Sequence, residues 1–354
     1  MRSILRNAGA VGAITQLLSF AVMLAVQSSG VFAQAVSDNP YQVIYNWGQL
    51  PDGRAMGVVT GVHPDADGEH LWVVERCSVN QCAGSALPPI HKLDREGHVV
   101  KSIGAGLFAW PHGFDLDADG NLWITEGAPV GDPRGEPGFA LGMGHQVIKL
   151  DQEGNVLMRL GVAGIAGDDD RHFNGPSAVA VADNGDIWIA DGHRGGNNRI
   201  LKFAANGKLL LQIGGGIASL SREVARFNDP HDLKIDSQGR LFVADRGNNR
   251  IQIFSQEGEL LEIWTQFGRP SGIWIDKDDR IYVADGMSDS NWNPGWQRGI
   301  RIGDAKTGWI SAFIPDYEVP NGSGIEFLAT DRDGSIYAGQ VGRQRFEKYV
   351  RVRP

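Results

Sequence analysis

The sequence has few cysteines, a deficit of positive charge and little helical periodicity. Thirty-three lysines and arginines face 42 acidic residues, which gives a formal net charge of −9 at pH 7. No basic stripe with interleaved aromatic residues occurs, so we expect no nucleic-acid partner. Helical patterns are only scattered, whereas 48 glycines supply many tight turns, and both observations favour an all-β protein.

Residues 229–254 contain a pattern that recurs along the chain. Each copy is a short apolar run, a tight turn rich in Asp and Gly, and a second apolar run such as LFVAD or IYVAD, which is typical of a β-hairpin. In the complete copies a third and a fourth apolar run follow. The other copies lie at residues 60–76, 110–126, 175–203, 269–285 and 324–340.

Six units of four strands, repeating every 40 to 65 residues, predict an all-β six-bladed β-propeller of four-stranded antiparallel blades. We expect it to form one domain over residues 36–354. Residues 36–59 should supply a strand that completes the last unit, because closing the ring removes exposed sheet edges. The alternating run at residues 346–354 should be an outer strand that pairs near it.

Residues 1–35 have the layout of a secretory signal peptide, with Arg2 and Arg6, an apolar segment and an A-x-A cleavage site at residues 33–35. The alternative is a retained membrane anchor, since residues 8–26 are nearly long enough to span a bilayer. Gly, Thr, Gln and Ser interrupt that segment. We therefore expect cleavage, no stable membrane insertion afterwards, and a periplasmic or secreted mature protein.

Cys77 and Cys82 lie five positions apart in the loop after the second strand of the first unit. In an exported protein such a pair most simply forms a disulfide that closes a small loop. A metal-binding or redox pair is the alternative, but the spacing is not C-x-x-C and the chain has no other thiol. The disulfide would stiffen the loop that presents Arg76.

Counting eight residues back from each turn glycine, or its equivalent, defines a repeat position at the start of the innermost strand. Units one, three and five carry hydroxyl side chains there, whereas units two, four and six carry His112, His231 and Glu326. Alternate units of a six-fold ring are related by about 120°, so these three side chains should converge on the axis. Two histidines and a carboxylate with an open position suit zinc or another divalent transition metal. The alternative is that they merely line a wet channel.

Arg76 and Arg246 follow the second strands of units one and four, in the runs VVER and VADR. A guanidinium beside a metal is suited to holding a substrate carboxylate or to stabilising a developing oxyanion. The alternative is a structural ion pair with the preceding Glu75 or Asp245. In unit three, the equivalent strand is followed by His193.

The pattern at residues 229–254 resembles the NHL repeat. The order of the units resembles peptidyl-α-hydroxyglycine α-amidating lyase, a propeller enzyme that releases a peptide amide and glyoxylate. The resemblance covers about residues 70–340 and is carried most closely by WPHGFDLDADGNLWITE, by the HQVIKLD that follows it, and by the pattern at 229–254. It implies a zinc ion bound by His112 and His231.

The same resemblance implies that Arg76 and Arg246 are the catalytic arginines. Glu326 stands where the family has its third zinc-binding histidine, and a carboxylate also binds zinc. His193 stands where the family has a tyrosine that abstracts a proton, a task that imidazole also performs near neutral pH. Phe327 stands where the family's calcium site has an acidic residue, so we expect no calcium.

We therefore expect an exported, metal-dependent lyase whose substrate is a small molecule or peptide with a carboxylate. A non-catalytic propeller that binds a peptide, a glycan or an envelope protein is the alternative, because a fold alone does not define an activity. A calcium-dependent six-bladed lactonase is a third alternative, but that chemistry needs Glu, Asn and Asp on the axis, and two histidines fit it badly. The sequence carries no signal for an oligomeric state.

Overall fold

Among the described residues, 24 β-strands supply nearly all of the regular structure. The structure is a computed structural model and describes residues 39–127, 142–216, 223–318 and 322–352. Within those ranges the strands form six four-stranded antiparallel sheets. The inner strand of each sheet contacts the inner strands of the two neighbouring sheets, so the sheets close into a ring. The predicted six-bladed β-propeller is therefore confirmed.

Each sheet is one blade, and except in the sixth blade its strands follow one another along the chain from the axis outwards. The first described strand, β1 (Tyr41–Tyr45), belongs to the sixth blade. Blade one contains β2 (Val59–Pro64), β3 (Leu71–Glu75), β4 (Ile90–Leu93) and β5 (Val99–Ile103). Blade two contains β6 (Pro111–Leu116), β7 (Leu122–Glu126), β8 (Gln146–Leu150) and β9 (Val156–Leu160). Blade three contains β10 (Pro176–Val181), β11 (Ile187–Asp191), β12 (Arg199–Phe203) and β13 (Leu209–Gly214).

The second half of the ring repeats this order. Blade four contains β14 (Pro230–Ile235), β15 (Leu241–Asp245), β16 (Arg250–Phe254) and β17 (Leu260–Trp264). Blade five contains β18 (Gly272–Ile275), β19 (Arg280–Asp285), β20 (Gly299–Asp304) and β21 (Ile310–Pro315). Blade six contains β22 (Ile325–Thr330), β23 (Ile336–Gln340) and β24 (Arg345–Arg351). Short 3-10 turns lie at Pro51–Gly53, His193–Gly195 and Arg246–Asn248.

The sixth blade is built from both ends of the described chain. Its three inner strands come from the C-terminal part, and β1 adds the outermost strand, antiparallel to β24, with Tyr41 opposite Arg351 and Tyr45 opposite Glu347. Both predictions about closure are confirmed: a strand within residues 36–59 completes the last unit, and the run at 346–354 supplies its neighbour.

The Asp/Gly turns that define the repeat have a simple physical basis. In the hairpin of blade two, Oδ1 of Asp117 accepts hydrogen bonds from the backbone N–H groups of Asp119 (3.1 Å) and Asn121 (2.9 Å). Gly120 adopts φ +77°, a left-handed conformation that glycine reaches without steric cost. The carboxylate thus satisfies the turn's backbone donors and the glycine provides its backbone geometry.

Apolar side chains fill the spaces between adjacent blades. The second strand of each blade is almost entirely buried, as in β11, whereas the outer strand β13 alternates between exposed and partly buried residues. One core cluster, for example, joins blades three and four through Trp188, Phe227 and Phe254. In blade four, for example, burial is greatest in the second and third strands and lowest in the outermost strand.

Cys77 and Cys82 form a disulfide in the loop after β3, so that prediction is confirmed. The backbone N–H of Cys82 also donates to the carbonyl of Ala109 at 2.7 Å, in the segment that leads into blade two. The bridge thus fixes the loop next to Arg76 against the neighbouring blade.

The predicted signal peptide at residues 1–35 lies outside the described residues. In the part of the chain that the structure describes, no helix has the length and apolar character needed to cross a membrane.

Candidate metal centre

The repeat position derived from the sequence coincides with an irregularity in the inner strands. In five of the six inner strands the pairing with the second strand shifts register there. Such a bulge leaves a residue unpaired in the ladder and redirects its side chain. The shifts fall at Thr60, His112–Gly113, Ser177, His231–Asp232 and Glu326, while Ser271 directly precedes β18.

His112 and His231 are fully buried and are oriented in the same way. Nδ1 of His112 lies 2.7 Å from the carbonyl oxygen of Ser177, and Nδ1 of His231 lies 2.7 Å from that of Ser271. A carbonyl can only accept, so Nδ1 carries the proton in each ring and Nε2 keeps its lone pair. Both Nε2 atoms are buried without a hydrogen-bond partner among the described residues.

The hydroxyl residues of the alternate blades also connect neighbouring inner strands. Oγ1 of Thr60 donates to the carbonyl of Pro111 at 3.1 Å, and Oγ of Ser177 donates to that of Pro230 at 2.6 Å. Hydroxyl and imidazole groups thus bond in turn to the next blade around the ring. This arrangement fixes the directions of the two histidine rings.

His193 joins these two histidines, although it lies outside the inner strands. It follows Gly192 in the 3-10 turn after β11 and is largely buried. Its ring centroid is 4.6 Å from that of His112 and 5.0 Å from that of His231. One nitrogen from each of the three rings lies within 4.8 Å of the other two. Three buried histidines from three different blades could therefore hold a metal ion.

The donor set fits a transition metal, because orphaned imidazole lone pairs are the ligands that zinc prefers. Two nitrogens bound to one tetrahedral zinc ion at about 2.1 Å lie about 3.4 Å apart, so a movement of less than about 1 Å by each ring would suffice. Glu326 lies beside this group rather than within it. Its Oε2 is 3.9 Å from Nε2 of His231, and its Oε1 is 3.4 Å from Nη1 of Arg246.

Electrostatics keep the histidines neutral and the nearby carboxylates charged. Burial, followed by the Arg246 charge, lowers the pKa of His231 to about 3. Burial, followed by the neighbouring histidines, holds the pKa of His112 well below its ordinary value, and burial also lowers the pKa of His193. Burial alone would raise the pKa of Glu326, but interactions with His231 and with the Arg246 guanidinium leave that pKa below its ordinary value. Metal binding needs neutral imidazoles, so these shifts favour it.

Arg246 pairs with residues of the site rather than with its preceding aspartate. Its Nε and Nη2 donate to Oδ2 of Asp229 at 2.9 and 2.7 Å. Asp245 instead accepts from Nε of Arg250 at 2.7 Å. Burial of Asp229 would raise its pKa, yet Arg246 and His193 hold that pKa well below its ordinary value. The alternative interpretation, a structural pair between Asp245 and Arg246, therefore does not describe this arginine.

Arg76 is held next to β6, the strand that carries His112. Its Nε donates to the carbonyl of Pro111 at 3.0 Å, and its Nη1 donates to Oδ1 of Asn80 at 2.6 Å. The guanidinium lies over the Trp110 ring, 3.6 Å from its centroid, and Trp110 in turn stacks on His193 with centroids 5.5 Å apart. The structure thus places both predicted arginines within one shell around the histidines.

Asp229 and Trp110 were not identified as neighbours of the site from the sequence, and Phe327 was considered there only for the family's calcium site. Asp229 holds both His193 and Arg246, Trp110 contacts both Arg76 and His193, and the centroid of the Phe327 ring lies 5.1 Å from that of His112. The position of Asp229, directly before Pro230 and a predicted ligand, was the available signal. Its partners lie in other turns, and the repeat spacing does not reveal such contacts.

A six-bladed ring with three buried histidines at its axis defines a β-propeller with a candidate metal centre. The NHL repeat family matches residues 173–203 and 227–254. NHL repeat-containing protein 3 of Homo sapiens is 30% identical over 280 residues, which cover 75% of this chain and 74% of that protein. The chain belongs to the NHL repeat family.

The chain is also related to proteins named for α-amidation. The Caenorhabditis elegans protein named probable peptidyl-alpha-hydroxyglycine alpha-amidating lyase pgal-1 is 40% identical over 165 residues. That match covers 46% of this chain and only 42% of the relative's own length. Among solved structures, streptogramin B lyase superposes with a TM-score of 0.52 at 16% identity, covering 88% of this chain and 97% of that one, which shows the shared fold.

Proposed function

We propose that this chain is an exported, metal-dependent lyase that cleaves the C–N bond of an α-hydroxyglycine-type substrate and releases an amide and glyoxylate. The observation that carries the proposal is the buried histidine group flanked by Arg76 and Arg246, in a chain related to an amidating lyase. The signal-peptide pattern at residues 1–35 supports export to the periplasm or beyond.

The reaction needs a proton transfer but no external oxidant or reductant. The substrate's hydroxyl loses its proton and becomes the aldehyde oxygen of glyoxylate, the C–N bond breaks, and the departing nitrogen gains a proton. His112 and His231, with a third ligand, would hold zinc or another divalent transition metal. When bound, such an ion supplies Lewis acidity for the substrate's hydroxyl. His193 and Glu326 are the remaining groups near it; the sequence assigns the proton transfer to His193 and metal binding to Glu326.

The arginines suit a substrate that carries a carboxylate. Arg246 is 4% exposed and Arg76 is 1% exposed, so neither side chain is free to move with solvent. Asp229 fixes the first and Trp110 supports the second. A buried, oriented guanidinium binds a carboxylate with charge-assisted hydrogen bonds and stabilises charge that develops next to it. The substrate's carboxylate would therefore lie between the arginines and the histidines.

The test is turnover of a peptide that ends in α-hydroxyglycine, with released glyoxylate as the readout. We expect zinc-loaded wild-type protein to release glyoxylate and His231→Ala to fall to background. His98→Ala, at an exposed turn of blade one, is the matched control and should behave as wild type. No release by the wild-type protein above the His231→Ala background would reject the lyase assignment.

A non-catalytic binding propeller is the second candidate. The relative with the fuller mutual coverage, NHL repeat-containing protein 3, carries a name that states no reaction. In this case the histidine group would be a structural feature of the channel. Metal analysis separates the two candidates: less than about a tenth of an equivalent of transition metal after reconstitution would favour the binding role.

A further inference from the structure

We propose that the third metal ligand is His193, held in place by Asp229 as a positioning residue, and that Glu326 stands outside the ligand set. This inference rests on the proposed metal-dependent function and deepens it, because it names the ligands of the same site. It replaces the ligand set that the repeat positions predict.

Asp229 orients the ring of His193. Nδ1 of His193 lies 2.9 Å from Oδ1 of Asp229, and a carboxylate that is ionised can only accept. Nδ1 therefore carries the proton, and Nε2 remains as the ligand atom. Ring orientation by a carboxylate or a carbonyl is the usual arrangement around a metal-binding histidine. His112, His193 and His231 all have such a partner.

Asp229 is itself fixed by contacts from several residues. It adopts φ +55°, its backbone N–H donates to Oδ1 of Asn198 at 2.9 Å, and its Oδ1 also accepts from the backbone N–H of Arg194 at 3.2 Å. Arg246 donates twice to its other oxygen. A carboxylate held by this many donors places His193 with little freedom, as a preorganised ligand requires.

The turn that carries His193 is tightly packed. Its backbone N–H donates to the carbonyl of Gly175 at 2.9 Å. A Cβ atom at Gly175 would lie 2.6 Å from the carbonyl oxygen of His193, and one at Gly196 would lie 1.7 Å from that of Asn174. Only glycines at both places allow this approach, so the turn is held against blade three.

Glu326 lies beside the histidine group and faces Arg246. Among the described residues, the group whose ligand atoms all lie within 4.8 Å of one another contains the three histidines and not Glu326. Glu326 instead faces Arg246, with Oε1 3.4 Å from Nη1. Breaking a buried charge pair is costly: Glu326 would lose its arginine, whereas Arg246 would keep its pair with Asp229. Glu326 therefore stays paired while His193 completes the set.

The experiment measures zinc uptake rather than activity. Wild type and four variants are stripped with a chelator, reconstituted with Zn²⁺, and analysed for bound metal after gel filtration. We expect about one equivalent in the wild type, in Glu326→Gln and in the exposed control His98→Ala, and loss of stable binding in His193→Asn. Asp229→Asn should weaken zinc binding by about 10- to 100-fold, as expected when a ligand loses its orienting partner.

Each failure has a different meaning. Zinc retained by His193→Asn but lost by Glu326→Gln would overturn the inference and leave the metal-dependent function standing. No zinc uptake by the wild type would end both. If His193→Asn does not fold, Co²⁺-loaded Glu326→Gln decides the question. A visible spectrum equal to that of Co²⁺-loaded wild type supports a set without Glu326, and a changed spectrum overturns it.

Discussion

At the scale of single residues, His63 shows how the channel depends on pH away from the histidine group. It lies three positions after Thr60 on β2, with Nε2 3.5 Å from Oδ1 of Asp115. Nζ of Lys234 lies 2.6 Å from the same oxygen. Burial, followed by the Lys234 charge, lowers the pKa of His63 to about 4, so His63 is neutral in the folded protein at pH 7.

This shift predicts a loss of stability in acid. Between the unfolded pKa of about 6.5 and the folded pKa of about 4, the unfolded chain binds a proton that the folded chain does not, so the free energy of unfolding falls as pH falls. His63 alone should account for about 2–3 kcal/mol between pH 7 and pH 4.5. Urea unfolding of metal-free His63→Gln should show a correspondingly weaker pH dependence. An exposed control, His98→Gln, should keep the wild-type dependence, and an unchanged dependence in His63→Gln would contradict the assignment.

Single residues also mark the limit of what the sequence could predict about the site. Counting eight residues back from each turn glycine located His112 and His231, because both occupy the same repeat position in their blades. Asp229 has a left-handed backbone conformation, and its partners His193 and Arg246 lie 36 and 17 residues away in the sequence. No sequence periodicity predicts those contacts. His193 was noticed because it follows the second strand of unit three, and the family resemblance suggested its role, but its approach to the other two rings depends on the turn after β11 and appears only in the structure.

At the scale of secondary-structure elements, the inner strands approach one another unusually closely. A Cβ atom at Gly113 on β6 would lie 2.4 Å from the carbonyl oxygen of Ser177 on β10. One at Gly272 on β18 would lie 2.3 Å from that of Glu326 on β22. The carbonyl of Ser177 is the group that orients His112, so strand spacing and ligand orientation depend on the same contact.

Gly113→Ala should therefore affect both stability and metal binding. The added methyl group must push β6 and β10 apart, at a cost of about 1–3 kcal/mol. The displaced Ser177 carbonyl should also weaken zinc binding. Thermal unfolding and zinc titration measure the two effects. Gly106→Ala is the control: it adds a methyl group at φ +73° with no atom within 4 Å, so it should cost only about 1 kcal/mol and leave zinc affinity unchanged. Equal zinc affinity in Gly113→Ala and wild type would contradict the coupling.

The elements themselves were largely predictable, for a physical reason. Each Asp/Gly turn is local, so Asp117 and Gly120 specify their hairpin without help from the rest of the chain. β1 is different: it carries no turn signal, and the sequence placed it only within residues 36–59. A strand was expected there because the last sheet would otherwise have an exposed edge. The register of β1 against β24 could be determined only from the structure.

At the scale of the whole molecule, one core cluster joins the two ends of the described chain. Tyr41 on β1 and Trp47 just after it pack with Tyr337, Phe346 and Tyr349 of blade six. The Trp47 ring lies 4.8 Å from that of Tyr337 and 5.7 Å from that of Phe346. These contacts reinforce the single antiparallel pair that closes the ring.

Deleting residues 39–45 should open the propeller. The variant loses the burial of Tyr41 and exposes the edge of β24, so we expect it to be less stable by at least about 3 kcal/mol and prone to self-association. Calorimetry and size-exclusion chromatography measure these effects. A synthetic peptide of residues 39–50 should restore part of the lost thermal stability, whereas a scrambled peptide should not. A deletion variant with wild-type melting behaviour would show that β1 does not close the ring.

The pairing of Gln42 with Val350 has a consequence for the order of folding events. During synthesis β1 emerges among the first strands but must wait for its partner until about 300 further residues have followed it. Five blades can become native in succession as the chain lengthens, whereas the sixth forms in one late step that joins the earliest and the latest strands of the ring. The histidine group draws on blades two, three and four, so it can assemble before that last step.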